Sequence, residues 1–168
     1  MANKTSDFWI KMNPLMKPLM NTPLHWLFGS RLGLIRFKGR KSGKSFVTPV
    51  GYNLFGDCII IVLSETHNRQ WWRNYREPWP MDIKYKGRWR SGAAVWIEPG
   101  SAEYVDRFGQ IFKRDPFVAK IMKIEDFDVE EGLRQDQLKI LLENTTGMVK
   151  YTDEKTDPGT TPGPPSQP

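Results

Sequence analysis

From residue 30 onward, short runs of apolar and alternating residues are separated by turns. Leu32 to Lys38 reads as a strand, ended by Gly39-Arg40-Lys41-Ser42-Gly43-Lys44 with its pair of glycines. Ser45 to Phe55 predicts a second strand carrying Val47, Val50 and Tyr52. Beyond Gly56-Asp57, the unbroken run Cys58-Ile59-Ile60-Ile61-Val62-Leu63 reads as a buried strand. His67 to Glu77 predicts a short helix holding Trp71 and Trp72. Met81, Ile83 and Tyr85 alternate with Asp82, Lys84 and Lys86, the pattern of a half-buried strand, and Lys86-Gly87-Arg88 leads into a long strand from Trp89 to Glu98. Ser101 stands where a helix cap belongs, ahead of Tyr104, Val105, Phe108, Ile111 and Phe112 at helical spacing. Asp115-Pro116 begins a further helical piece. Gln137 to Glu143 fits either a helix or a strand, and is read here as the sixth strand. Strands of this length and spacing predict a closed or partly closed antiparallel barrel, because closure removes exposed edges. The fold class expected is mainly β with helices (α+β).

The flanks differ from this body. In residues 1–29, Met12, Met16 and Met20 recur every four positions, while Pro14, Pro18 and Pro23 exclude one straight helix. This segment reads either as packed over the core, or as a membrane-surface element or lid. Lys4, Lys11 and Lys17 suit an anionic lipid surface. Residues 30–151 form the expected barrel domain. Residues 152–168 contain no hydrophobic residue and five prolines, the composition of a disordered tail.

Composition narrows the chemistry. The 168 residues carry a net charge of +6, with one cysteine and two histidines. One cysteine excludes an internal disulfide, and with two histidines it excludes the common Cys/His zinc sets, so no metal is expected. Cys58, inside an apolar run, reads as a small buried hydrophobe. No Gly-x-Ser-x-Gly nucleophile elbow occurs. The longest apolar run is far short of a membrane span, and the N-terminus lacks a secretory pattern. The expected location is therefore cytoplasmic, or peripheral at the inner membrane face through residues 1–28.

The charge is uneven. Arg31, Arg36, Lys38, Arg40, Lys41 and Lys44 fall within fourteen residues that contain no acid. Gly39-Arg40-Lys41-Ser42-Gly43-Lys44-Ser45 is one residue short of a Walker A loop and joins two predicted strands, so it is not a nucleotide P-loop. It still suits an anion. Glycines let backbone N–H groups converge on a ligand, Ser42 adds a hydroxyl, Arg40 can fork onto phosphate oxygens, and Lys41 and Lys44 add point charges. A solvated hairpin tip and a nucleic-acid patch are the alternatives. In a second cluster, Arg69, Trp72, Arg73 and Arg76 would share one helical face, with Trp71 and Tyr75 beside it. One tryptophan is expected in the core and the other against a flat or anionic ligand; the alternative is a Trp-anchored helix covering the barrel with its arginines in water. On this reading the excess charge belongs to one phosphate-sized site.

Together, the basic turn, the strand with Val47-Thr48-Pro49-Val50, and Trp71-Trp72-Arg73-Asn74-Tyr75-Arg76 resemble the deazaflavin-dependent nitroreductase family of split β-barrel flavin/deazaflavin oxidoreductases. The resemblance implies coenzyme F-420, or FMN as in related split barrels. It implies that Arg40, Lys41, Ser42, Gly43 and Lys44 hold the phosphate end, that Val47, Thr48, Pro49 and Val50 run beside the ring, and that Ser64, Arg69, Trp72 and Asn74 lie near the ring or ribityl chain. It implies hydride transfer to a small acceptor such as a quinone, enoyl or nitroaromatic compound, with Tyr104, Phe108 and Phe112 lining an apolar acceptor pocket. Tyr104, His67, Tyr52 and bulk water are the candidate proton donors. A homodimer is a further expectation. A non-catalytic cofactor carrier on the same barrel is the second reading. A small barrel stacking single-stranded nucleic acid on its tryptophans is the third, disfavoured because the cations gather on one turn and one helix.

Overall fold

The computed structural model describes residues 32–154. The expectations for residues 1–29 and for most of the tail lie outside the described residues. Within them, β1 (Leu32–Lys38), β2 (Ser45–Leu54), β3 (Ile59–Leu63), β4 (Trp79–Tyr85), β5 (Arg88–Ile97) and β6 (Gly147–Asp153) are joined in the order β1-β2-β3-β6-β5-β4 and close into a barrel. Every neighbouring pair is antiparallel, and β4 returns to β1 through Leu34↔Lys84, Ile35↔Ile83 and Arg36↔Asp82. Helices α1 (Ala102–Arg114), α2 (Pro116–Ile121) and α3 (Gln135–Glu143) lie between β5 and β6 in the chain. Among the described residues, no helix is long and apolar enough to cross a membrane.

Side-chain alternation builds two cores from one sheet. On β1, Ile35 and Phe37 are buried while Leu32, Arg36 and Lys38 are exposed. Ile35, Phe37, Tyr52, Ile61, Ile83 and Tyr151 fill the barrel. On β3 the intervening Ile60 is also buried, because it faces the helices and joins Ile97, Met148, Phe108, Ile111 and Leu141 in a second cluster. Cys58 belongs to that cluster, and burial pushes its thiol above the ordinary range. The Ser101 hydroxyl accepts from the Tyr104 N–H at 3.2 Å and caps α1. Tyr104 in turn donates from Oη to the Thr146 carbonyl at 2.9 Å, which ties α1 to the start of β6.

Three elements depart from the sequence expectation. Gln135–Glu143 is a helix instead of a strand, its first turn closed by the Gln137 side chain accepting from the Arg134 N–H at 3.1 Å. The sixth strand is Gly147–Asp153, so the barrel continues through Thr152 and Asp153, which had read as tail. Its first three residues are all buried because it runs between β3 and β5 with helices outside, which erases the period-two signal. The helix expected over His67 to Glu77 is instead a 3-10 turn, Thr66–Asn68, followed by a 3-10 helix, Trp71–Tyr75. Tyr75 drives that segment into the barrel, where it is fully buried against Phe37 and Trp71. Burial, with Asp82 adding to it, raises the pKa of its phenol.

Candidate functional site

The β1–β2 turn and the segment between β3 and β4 meet at one end of the barrel. The turn closes on itself: Gly39 donates to the Lys44 carbonyl at 2.9 Å, and Gly43 donates to the Gly39 carbonyl at 2.8 Å. Gly43 takes a left-handed φ of 64°, which a glycine adopts without steric cost. A side chain at Gly39 would strike the Ser42 hydroxyl and the Phe46 ring. The Ser42 hydroxyl accepts from the Lys44 N–H at 3.3 Å. These bonds leave the N–H groups of Lys41 and Ser42 without a partner among the described residues, at the tip of a loop with a cationic side chain. Unpaired N–H groups of this kind can donate hydrogen bonds to an anion.

Arg40 holds the turn in place. Its N–H donates to Asn74 Oδ1 at 2.7 Å, and Asn74 Nδ2 donates to the Trp71 carbonyl at 2.8 Å. Its guanidinium donates to the carbonyls of Asn74, Glu77 and Pro78 at 3.1, 3.0 and 3.3 Å, and to Glu77 Oε2 at 3.4 Å. The same group lies 4.2 Å over the Trp79 ring, whose Nε1 donates to the Lys38 carbonyl at 2.8 Å. The fork expected to meet phosphate is therefore engaged with protein acceptors, and Arg40 positions the turn.

Between these pieces lies a cleft of about 1180 Å³. The turn lines one side with Arg40, Lys41 and Ser42, and β2 follows with Phe46, Val47, Thr48 and Pro49. Trp71 and Phe37 contribute apolar surface, and Arg69, Arg73, Arg76 and Asn74 complete the lining with Glu65 and Glu77. Among the described residues neither Lys41 nor Arg69 has an ion-pair partner, so the cleft is net cationic.

The expected site residues divide. Arg40, Lys41, Ser42, Val47, Thr48, Pro49, Arg69 and Asn74 line the cleft. Gly43 and Lys44 shape the turn without lining the cleft, Val50 is buried in the barrel, and Ser64 is exposed beyond the lining. Trp72 is turned away. It stacks on Trp96 with centroids 4.3 Å apart and donates from Nε1 to the Thr66 carbonyl at 2.9 Å, and Trp71 takes the cleft position. The helical face that would have joined Trp72 with Arg69 does not exist in a 3-10 segment. Tyr104, Phe108 and Phe112 are each 0% exposed in the helix-covered cluster and do not line the cleft. Their helical spacing was core periodicity. Of the proposed proton donors, Tyr52 and Tyr104 are buried, and His67 bonds through Nδ1 with Thr145 Oγ1 at 2.9 Å outside the cleft lining. Phe46 and Glu65 are cleft residues that sequence reasoning missed. Phe46 is 43% exposed, and an exposed aromatic beside a basic turn was the available signal.

A closed six-stranded antiparallel barrel with a cationic, aromatic-walled cleft at one end is a split-barrel fold. The model of the F420H(2)-dependent quinone reductase family matches residues 22–116, which include the whole cleft lining, and the chain belongs to that family. Among solved structures it is similar to HutZ, the heme storage protein from Vibrio cholerae, at 12% identity over 86% of this chain and 91% of that one, with a TM-score of 0.50. It is also similar to the FAD and heme binding protein from Mycobacterium smegmatis, at 14% identity over 76% of this chain and 63% of that one, with a TM-score of 0.42. At these identities the first is a likeness of fold, and no functional statement follows from either. Among curated proteins, none matches the chain by sequence.

Proposed function

We propose that the protein binds reduced coenzyme F-420 in the cleft and passes its hydride to an apolar acceptor, a quinone being the class the family points to. The carrying observation is the juxtaposition of the Lys41-Ser42 tip, with two unpaired N–H groups, and an aromatic-walled cleft of about 1180 Å³. The residues fit such a group. The N–H groups of Lys41 and Ser42 and the Lys41 ammonium would hold the phosphate, while Phe46, Trp71 and the β2 edge at Val47 to Pro49 would bound a flat ring. The coenzyme, when bound, supplies the hydride, so the chain needs no nucleophile of its own. Its work is to orient the ring and the acceptor and to keep water from the reacting face. Arg40 and Asn74 serve that role by fixing the turn against Trp71 before any ligand arrives.

The test is a titration with coenzyme F-420 and separately with FMN, followed by tryptophan fluorescence, since Trp71 borders the cleft. Micromolar binding of the deazaflavin, weakened about tenfold or more by Lys41→Ala, is expected from the loss of one charge-assisted contact. Tighter binding of FMN would overturn the cofactor assignment. Reduced coenzyme is then mixed with menadione. If it binds yet no acceptor reoxidises it faster than buffer does, the protein is a carrier instead of a reductase.

A further inference from the structure

A second basic surface lies on the outside of the barrel, and the cofactor reading does not use it. Residues paired across neighbouring strands share a face. Leu34 pairs with Lys84, and Lys84 with Trp89, while Arg36 pairs with Asp82. The outward side of β1, β4 and β5 therefore carries Leu32, Leu34, Arg36, Lys84 and Trp89, with Lys86 at the hairpin tip. Leu32 is 42% exposed and Trp89 39% exposed. Arg36 is held by Asp82 at 2.7 Å and stacks 4.7 Å from the Trp89 ring. Lys84 and Lys86 have no ion-pair partner among the described residues. The described helices pack elsewhere, over Ile60, Ile97 and Met148.

The turn itself argues for a role. Tyr85 pairs with Arg88, so Lys86-Gly87 is a two-residue loop, and its φ values are 48° and 78°. Such a loop favours Asn or Gly at its first position. A lysine there keeps a cation at the tip at a conformational cost, the kind of strain that accompanies binding surfaces.

Charge selects the occupant. The chain enters this end of the barrel at Leu32. The preceding 31 residues carry Lys4, Lys11, Lys17 and Arg31 against the single acid Asp7. They carry the same sign of charge as this face, so both are suited to the same anionic partner. Exposed leucine and tryptophan set among lysines is the composition of a membrane-interface contact. We propose that the β1–β4–β5 face, with Lys84, Lys86 and Trp89 at its centre, docks the protein on an anionic lipid surface. The face is continuous with the cleft: Arg36 pairs with Val47 and Leu34 with Pro49, both cleft residues. The docking stands whether or not the cofactor assignment does, because its readout requires no coenzyme.

The experiment is co-sedimentation of the full chain with vesicles of phosphatidylcholine alone and of phosphatidylcholine with phosphatidylglycerol. Partition only onto the phosphatidylglycerol vesicles is expected, falling roughly thirtyfold or more in Lys84→Glu/Lys86→Glu and several-fold in Trp89→Ala. Lys86→Asn, which suits the turn and so keeps the fold, is expected to weaken partition about fivefold. Lys139→Glu, a single charge reversal on exposed α3, is expected to stay within about twofold of the parent. Equal binding to neutral vesicles, an unchanged partition in the Lys84/Lys86 variant, or an equal loss in Lys139→Glu would each overturn the proposal. So would binding of a short single-stranded oligonucleotide that is tighter than vesicle binding and lost in the same variants.

Discussion

Two turns join antiparallel strands at opposite ends of this barrel, and both are basic. The β1–β2 turn is braced from outside: Arg40 and Asn74 bond it to the segment before β4, and its left-handed position is a glycine, Gly43. The β4–β5 turn is bare, two residues long, and places Lys86 at a left-handed φ of 48°. The first turn gives its conformational demand to a residue that meets it freely and supports its charges with neighbours. The second carries its charge at the strained position itself. Net charge alone ran these together. The excess that had read as one phosphate-sized site is divided between a cleft and an outer face.

Removing the brace is expected to have the largest effect. Arg40→Ala abolishes four side-chain bonds and the stacking on Trp79. The group is partly exposed, with 34% of its side-chain surface accessible, so the loss is set at about 2 kcal/mol of unfolding free energy. Urea denaturation measures it, and coenzyme affinity falls in parallel because the turn loses its fixed position. Arg40→Lys recovers less than half, since an ammonium cannot reach four acceptors arranged for a fork. Full recovery by lysine would show that charge and not geometry holds the turn.

The next effect separates holding the turn from holding the ligand. Lys41→Ala removes a cation with no described partner, so stability stays within about 0.5 kcal/mol while deazaflavin affinity drops about tenfold. A drop in stability as large as that of Arg40→Ala would erase the distinction. Gly43→Ala tests the remaining element of the turn. Nothing lies within 4 Å of an added methyl group there, so its cost is conformational alone, about 1 kcal/mol for a left-handed alanine. Thermal unfolding at fixed pH reads it.

Much of this was legible in the residues. Strands β1 to β5 were marked by glycine turns, with alternation in β4 and an unbroken apolar run in β3, and the basic turn was visible as Gly-Arg-Lys-Ser-Gly-Lys. What escaped depended on neighbours. β6 carries Met148 and Val149 buried in different clusters, so it shows no alternation, while Leu138, Ile140, Leu141 and Leu142 crowd α3 with the residues of a strand. Trp71 and Trp72 are adjacent and identical in sequence. Which one meets the cleft was decided by the 3-10 geometry and by Trp96 offering a partner to stack on, neither of which a helical wheel contains. The bracing contacts of Arg40 were not legible, because a guanidinium fork fits a phosphate and a set of carbonyls equally well.

The smallest prediction has the opposite sign from the others. Lys86→Asn places a residue that tolerates the left-handed region at the first position of the two-residue loop, with Gly87 already suited to the second. The lysine ammonium makes no described ion pair that would be lost. The substitution is therefore expected to stabilise the barrel by about 0.5 kcal/mol, a rise of a few degrees or less in the unfolding midpoint for a domain of this size. The corresponding change in the other turn, Gly43→Asn, has no strain to relieve and is expected to be neutral or mildly destabilising. If Lys86→Asn instead destabilises, the lysine is contributing a contact within the fold. The two turns would then differ only in which neighbours brace them, and no longer in which one bears strain for its charge.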